Sequence, residues 1–260
     1  MSRTMDPRRM GGVARLFGEE GARRLADAHV TVVGLGGVGS WAVEALVRSG
    51  VGRLTLIDGD TVDASNTNRQ LPALDPEYGR PKAEVLAERC RRINPDCEVT
   101  AVVSFVTPEN AATLVPVSDR VLDCIVDLRA KAALCAAMHE RGQAMVVAGG
   151  AGGKVDPSFV TTDDLARAKG DALTAKLRTI LRKEYGFPKG SADGRSVRFG
   201  IPCVYSPEPL RQPDAENIQA IGAAPSARIG FGSSVAVTAT VGLRAASLVV
   251  NAIAFAGESR

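Results

Sequence analysis

This sequence predicts an α/β fold, a mostly parallel twisted sheet with helices on both faces, and three observations predict it. Short β-branched runs alternate with helical stretches from Ala28 to Gly153, a spacing that places parallel strands side by side with crossover helices between them. The glycine-rich turn Gly34-Leu-Gly-Gly-Val-Gly-Ser40 falls directly between one such run and the next helix. Of 260 residues, 45% are hydrophobic and 23% charged, which supplies a sizeable core and excludes a disordered or fibrous chain.

The elements follow in order. His29-Val-Thr-Val-Val33 reads as a buried strand and Trp41 to Arg48 as the helix behind the glycine turn. Arg53-Leu-Thr-Leu-Ile57 is the second strand, and Lys82 to Ile93 a helix closed by Asn94-Pro95. Val99 to Phe105 predicts a strand, Pro108 to Leu114 a short helix, and Arg120 to Ile125 a further strand. Ala130 to Arg141 is helical and Ala144 to Ala148 extended. Beyond Gly153 the pattern loosens. Asp163 to Glu184 predicts one helix, Phe187 to Ser196 a mobile loop, and Pro202 to Asn217, with four prolines, an extended path. A final small-residue helix is expected to start near Gly232-Ser-Ser234. The expected division is an N-terminal helical arm over 1–27, a nucleotide-binding domain over 28–153, and a C-terminal part over 154–260 integrated with it.

Composition narrows the setting. The net charge of +3 calls for no polyanionic partner by itself. Five cysteines without a C-x-x-C pair argue against a disulfide framework or a zinc knuckle, and predict reduced thiols in a cytoplasmic protein. Met1 to Met10 carries arginines with no apolar run behind them, unlike a secretory signal. Ser234 to Phe255 is apolar, but Arg244 and Asn251 interrupt it, so a buried or dimer-facing helix is expected rather than a membrane span.

The chemistry begins at the glycine turn. Gly34, Gly36 and Gly39 tighten the chain and admit a phosphate to the backbone, and the following helix offers unpaired N–H groups and a partial positive charge. This marks the fold as Rossmann-like. Asp58, at the end of the second strand, suits a ribose hydroxyl pair. Taken alone the motif fits a nicotinamide dinucleotide, and no Gly-Lys-Ser/Thr closes a Walker-type loop. The surroundings favour a triphosphate instead. Asp60 is a second carboxylate at the same strand end, Asn66-Thr-Asn-Arg-Gln70 adds a polar and basic cluster, and Lys82 opens the next helix. Arg69 can grip phosphates bidentately and Lys82 act as a point charge, as attack on an α-phosphorus with loss of pyrophosphate requires. Each residue alone is ordinarily solvated surface or a turn residue; their order behind the glycine loop lifts them together.

These residues resemble the ubiquitin-activating-enzyme-like adenylating superfamily. The likeness covers the glycine loop, Ile57-Asp-Gly-Asp60, Asn66 to Gln70, Gly79-Arg-Pro-Lys82 and Ala148-Gly-Gly-Ala-Gly-Gly153. Through Arg89 to Pro95, Phe105-Val-Thr-Pro108, Val155-Asp-Pro157, Leu165 to Arg182 and Cys203-Val-Tyr-Ser206 it is similar to the tRNA threonylcarbamoyladenosine dehydratase branch. The resemblance implies that ATP activates a threonine-derived carboxylate beside the anticodon as an acyl-adenylate, which then cyclises and expels AMP. It implies magnesium, a homodimer, and an arginine reaching across from the neighbouring protomer, for which Arg9 and Arg15 are the candidates. The expected nucleotide-binding set is Gly34, Gly36, Gly37, Gly39, Ser40, Asp58, Asp60, Asn66, Asn68, Arg69, Gln70, Lys82 and Asp123, with Arg69, Lys82 and Asp127 catalytic.

One position departs from the pattern. The family reads Asp-Ala-Ile-Asp-Ser after the fourth strand, whereas this chain reads Asp123-Cys-Ile-Val-Asp127. Val126 stands where an acid helps hold magnesium and offers no oxygen ligand, which leaves Asp127, one residue later, as the candidate. Three readings follow: the tRNA dehydratase; an adenylyltransferase for the C-terminal Gly-Gly of a sulfur carrier, disfavoured because paired zinc cysteines are absent; and a non-catalytic nucleotide- or RNA-binding protein. A basic second half (Arg167, Lys169, Arg178, Arg182, Lys183, Lys189, Arg195, Arg198) suits a phosphate path, with Tyr185 and Phe187 the nearest stacking candidates. Cys203 is expected to pack as a small hydrophobe.

Overall fold

Alternate side chains along each strand face opposite layers, and the apolar pattern of the strands therefore builds two cores. In β1 (His29–Val33), Val30 and Val32 join one core while Val33 joins the other. In β2 (Arg53–Ile57), Leu54 and Leu56 pair with the first core and Ile57 with the second. The computed structural model describes residues 6–189, 197–212 and 231–257. Its sheet has seven strands in the order β3-β2-β1-β4-β5-β7-β6. The others are β3 (Glu98–Val102), β4 (Arg120–Asp123), β5 (Met145–Ala148), β6 (Thr161–Asp164) and β7 (Pro202–Tyr205). All neighbours pair in parallel except β6, which runs antiparallel along β7 at the edge.

One face carries α1 (Pro7–Asp27), α2 (Gly39–Arg48), α3 (Lys82–Ile93) and the last helix, α7 (Val235–Ala254). The other carries α4 (Ala111–Leu114), α5 (Leu128–Glu140) and α6 (Ala172–Glu184). Helix α1 breaks at Gly18 (φ 72°); Phe17, just before the break, meets Phe255, just past α7, at 5.6 Å, and Gly21 after the break packs on Ala254. Helix α7 buries Val237, Val241, Ala245, Val249 and Ile253, a stripe at helical spacing. Gly242 lets it settle on α2, because a Cβ there would collide with the carbonyl of Val38. By length and composition α7 could cross a membrane, yet half of its most apolar window is buried in this fold.

Most sequence expectations hold to within a residue or two; the exceptions have local causes. The strand expected over Val99 to Phe105 spans Glu98–Val102, and its last three expected residues leave the sheet, Ser104 and Phe105 going into the lining of a cleft. Pro108 to Leu114 is helical only from Ala111. The single helix expected from Asp163 to Glu184 is an error: Thr161–Asp164 pairs with β7, and α6 begins only after Gly170 (φ 81°), where Asp171 caps it by accepting from Thr174 N at 2.8 Å. The loop expected over Phe187 to Ser196 falls largely outside the described residues, as does the path expected from residue 213 to Asn217.

Candidate functional site

The strand order reverses between β1 and β4, and in open sheets of this kind the crevice at the carboxyl ends of those strands receives ligands. Here a cleft of about 450 Å³ opens between the turn after β1 and the turn after β4. Gly34 makes the first turn. Its φ of 85° favours glycine, and a Cβ would lie 2.9 Å from the Cys124 carbonyl at the end of β4. Gly39 seats α2 against the same turn, since any side chain would overlap the Gly34 carbonyl. Gly36 and Gly37 then bare their backbone to the cleft at the start of α2.

Asp58, just past β2, ties this loop down. Its Oδ2 accepts from Leu35 N at 2.6 Å and its Oδ1 from Asp60 N at 2.8 Å. A carboxylate has about four lone-pair positions, so two remain in principle for a diol. The ring of Phe105 covers Gly59, where a Cβ would come within 2.6 Å of it, and forms an exposed lip to the cleft.

The basic side of the cleft is built differently. Lys82 opens α3, where the helix N-terminus adds partial positive charge. Its Nζ donates to Asp60 Oδ2 at 2.9 Å and the side chain is almost fully buried. Arg69 Nη1 donates to Ser65 O at 3.0 Å and to Asn68 Oδ1 at 2.7 Å, while Trp41 Nε1 donates to the Arg69 carbonyl at 3.0 Å. One edge of the guanidinium is thus fixed with the group at the cleft wall. Between them Asn66 and Gln70 are buried, and Asn66 Oδ1 and Gln70 Oε1 have no hydrogen-bond partner among the described residues. A buried amide oxygen left unpaired costs about 1–3 kcal/mol. Turning either amide over presents its NH2 instead, so the pair can serve donors or acceptors of a bound group. A nucleotide triphosphate fits this set: a glycine cradle, two cations, and two buried amides whose oxygens lack partners among the described residues.

The turn after β4 carries Val126 at the cleft, 78% exposed, and Asp127 beside it. Asp127 caps α5, its Oδ1 accepting from Ala130 N at 2.8 Å. Beneath them Asp123 and Lys131 form an ion pair at 3.0 Å, both wholly buried. Lys131 Nζ also donates to Ile125 O at 2.9 Å, so the pair shapes the turn from below. Burial pushes the Asp123 carboxyl up and Lys131 opposes this. Burial also works against the Lys131 charge, but Asp123 and neighbouring groups more than offset it, so its pKa rises and the ammonium is kept. Burial pushes the thiols of Cys124 and Cys203 up to about 12. Neither is a thiolate at neutral pH, and Cys203 packs in the core with no exposure.

Among the expected residues, Gly34, Gly36, Gly37, Asp58, Asp60, Asn66, Arg69, Gln70, Lys82 and Asp127 line the cleft. Four others support it from behind or from one side. Gly39 packs α2 on β1, and buried Ser40 accepts from Leu71 N at 3.3 Å. Asn68 donates to Ser233 O at 3.0 Å, and Asp123 lies under the turn rather than in the cleft because Lys131 and Ile125 N hold it there. Arg9 and Arg15 do not line it either: both are exposed on α1, Arg9 pairing with Asp6 at 3.3 Å and reaching Ile93 O at 3.5 Å. Phe187 is buried against His139 and Phe199 and offers no stacking face, whereas Tyr185 is 40% exposed. Gly149, Ala151 and Gly152 form the far wall with Ser233 and Thr238 from the start of α7. Ser233 and Thr238 carried no sequence signal, since only the tertiary fold brings α7 to the glycine loop.

Comparison with known proteins agrees with this geometry. The chain matches the ThiF family over residues 9–255. It is 46% identical over 247 residues to the tRNA threonylcarbamoyladenosine dehydratase of Escherichia coli K12, covering 92% of this chain and 91% of that one. The Haemophilus influenzae protein of the same name is 40% identical, covering 94% and 92%. The crystal structure of the E. coli enzyme in complex with ATP superposes with a TM-score of 0.84 at 44% identity, covering 95% of this chain and 94% of that one. With the strand order, the switch-point cleft and these matches in agreement, the chain belongs to the ThiF family.

Proposed function

We propose that the protein is an ATP-dependent tRNA threonylcarbamoyladenosine dehydratase. The observation that carries the reading is the convergence of Arg69, Lys82 and the buried amides of Asn66 and Gln70, whose oxygens lack partners among the described residues, on the glycine loop. Similarity to relatives of that name over nearly the whole chain supports it.

In this reading bound ATP supplies an α-phosphorus that the threonine-derived carboxylate attacks, with pyrophosphate leaving. The carbamoyl group then attacks the activated carbonyl, AMP leaves, and the nucleoside has lost one water. The chain's part is to hold and to neutralise. Gly36 and Gly37 present backbone to the phosphates, and Asp58 faces the ribose end. Lys82 exchanges its bond to Asp60 for phosphate oxygen, and Arg69 stabilises the departing charge. The Cys124 thiol at the cleft and the Cys203 thiol in the core stay protonated, so no cysteine is asked to act as nucleophile. Asp127, the carboxylate that the β4–α5 turn offers beside Val126, would help hold magnesium, which would supply charge neutralisation on the phosphates.

The partner in this reading is the modified tRNA. Exposed Lys176 and Lys183 on α6, with Arg167, Lys169, Lys189 and Arg198 nearby in sequence, offer it a phosphate path. A homodimer in which Arg9 or Arg15 serves the neighbouring cleft suits their exposure on α1. Free cysteines suit a cytoplasmic setting.

The test is AMP formation from ATP and magnesium, with and without tRNA bearing threonylcarbamoyladenosine, beside Val126→Asp. AMP only with modified tRNA, and a nucleoside lighter by water, supports the reading. Turnover by the variant alone makes the natural chain a binding protein, and AMP release that ignores tRNA but answers a Gly-Gly-ended carrier protein moves the reading to sulfur-carrier activation.

A further inference from the structure

Lys154 directly follows the glycine run that walls the cleft, and its side chain turns inward until it is 2% exposed. The ammonium sits among three oxygens: Gly150 O at 2.8 Å, Asp171 Oδ2 at 2.9 Å and Ser206 O at 2.5 Å. Its three protons are therefore matched by three acceptors. Asp171 Oδ2 also accepts from Gly150 N at 3.1 Å. Gly150 is thus held by both of its polar groups, the N–H by the carboxylate and the carbonyl by the ammonium. Its neighbours Gly149, Ala151 and Gly152 line the cleft.

The same ammonium joins three parts of the chain. Asp171 is the cap of α6, and Ser206 lies just past β7, followed by Glu208, a buried carboxylate that accepts from Val155 N and Asp156 N at 3.1 Å. Gly153 N donates to Gly232 O at 3.0 Å, and the next residue, Ser233, is itself in the cleft wall. A buried ion pair is weak support for stability, since an apolar pair of similar volume often does as well or better. The charge has another use here.

We propose that Lys154 is a positioning residue whose buried ammonium acts as a built-in cation, setting the wall formed by Gly149, Ala151 and Gly152 at the acyl-forming end of the cleft. The end is assigned by placement. Asp58 and Phe105 stand at the ribose side, whereas this wall continues through Ser233 and Thr238 to Gly37 on the other flank of the phosphate loop. The proposal rests on the dehydratase reading and deepens it: Lys154 serves the transfer rather than the binding of ATP.

Two variants test it, Lys154→Ala and the double variant Lys154→Met with Asp171→Asn, which leaves no stranded buried carboxylate. A wall displaced by an ångström costs about a hundredfold in rate. Lys154→Ala is expected to lose turnover on modified tRNA on that scale while its ATP affinity stays close to that of the natural protein. Ammonium chloride should restore part of that turnover where sodium chloride at equal ionic strength does not. The double variant should fold, remain slow and ignore ammonium. Unchanged turnover, loss in step with ATP affinity or folded fraction, or equal response to both salts would overturn the proposal. If the natural protein forms no AMP on modified tRNA, the dehydratase reading fails separately. Amide exchange at residues 149–153 of Lys154→Ala then decides: protection recovered by ammonium alone supports the built-in cation, and no such recovery overturns it.

Discussion

Lys82 Nζ and Asp60 Oδ2 lie 2.9 Å apart across a steep gradient of exposure, the lysine side chain 6% exposed and the aspartate 56%. The two partners are therefore unequal. Removing the lysine strips the cleft of a buried positive charge, and removing the aspartate leaves that charge without its partner.

Lys82→Met is expected to lower AMP formation by about 10²–10³, the scale for loss of one preorganised stabilising group. Asp60→Asn should cost less activity, and its main effect should be a lower unfolding midpoint. Steady-state kinetics and thermal denaturation on the same preparations separate the two outcomes; equal loss of activity in both would contradict the assignment.

Arg69→Lys is not a conservative change, because the guanidinium is anchored through Nη1 and presents a planar fork that an ammonium cannot reproduce. Pyrophosphate release should fall about tenfold or more, on the scale of one charge-assisted hydrogen bond. A kcat within experimental error of the natural protein would remove Arg69 from the phosphate side.

The Asp123–Lys131 pair makes a stability prediction. Lys131→Met leaves Asp123 buried and uncompensated, at a cost of about 3–5 kcal/mol. Asp123→Asn together with Lys131→Met should recover much of that loss in urea denaturation. A single variant as stable as the natural chain would show that the pair is not closed in solution.

His29 supplies the pH dependence. Burial lowers its pKa below the usual 6.5, so the folded state takes up a proton less readily than the unfolded one. Its contribution is present above the unfolded value and is lost as pH falls below about 6.5 toward the depressed folded value. The stability difference between the natural protein and His29→Gln should therefore shift against the natural protein between pH 7 and pH 5. A difference independent of pH across that window would contradict it.

The legible parts of this molecule are those that local pattern alone determines. Strands β1 and β2 and helix α3 begin and end where the apolar runs do, and the glycine loop is a local motif whose neighbours Asp58, Arg69 and Lys82 arrive within a short stretch of chain. Strand β6 was illegible because Thr161-Thr-Asp-Asp164 is polar and half-buried throughout, an edge strand without the alternation of a covered one. The Asp171 cap, with Thr174 three residues on, was a helix-start signal within a segment read as continuous helix. Asp123 shows the limit for single side chains. Its sequence position matched a nucleotide ligand, and only the buried ammonium of Lys131, from the next helix, shows that it faces the core.

The switch-point cleft has a mechanical consequence. Its lining comes from the glycine turn after β1, the end of β2 through Asp60, Asn66 with Arg69 and Gln70, Lys82, Ser104 to Val106, Cys124 to Asp127, Gly149 with Ala151 and Gly152, and the start of α7. A nucleotide bound there touches nearly every crossover of the sheet and works as a fastener for the whole fold. At a ligand concentration a hundred times Kd, mass action alone adds about 2.7 kcal/mol to stability. Protease resistance gained on adding ATP should accordingly spread as far as α7, more than 150 residues beyond the glycine loop in a chain of 260.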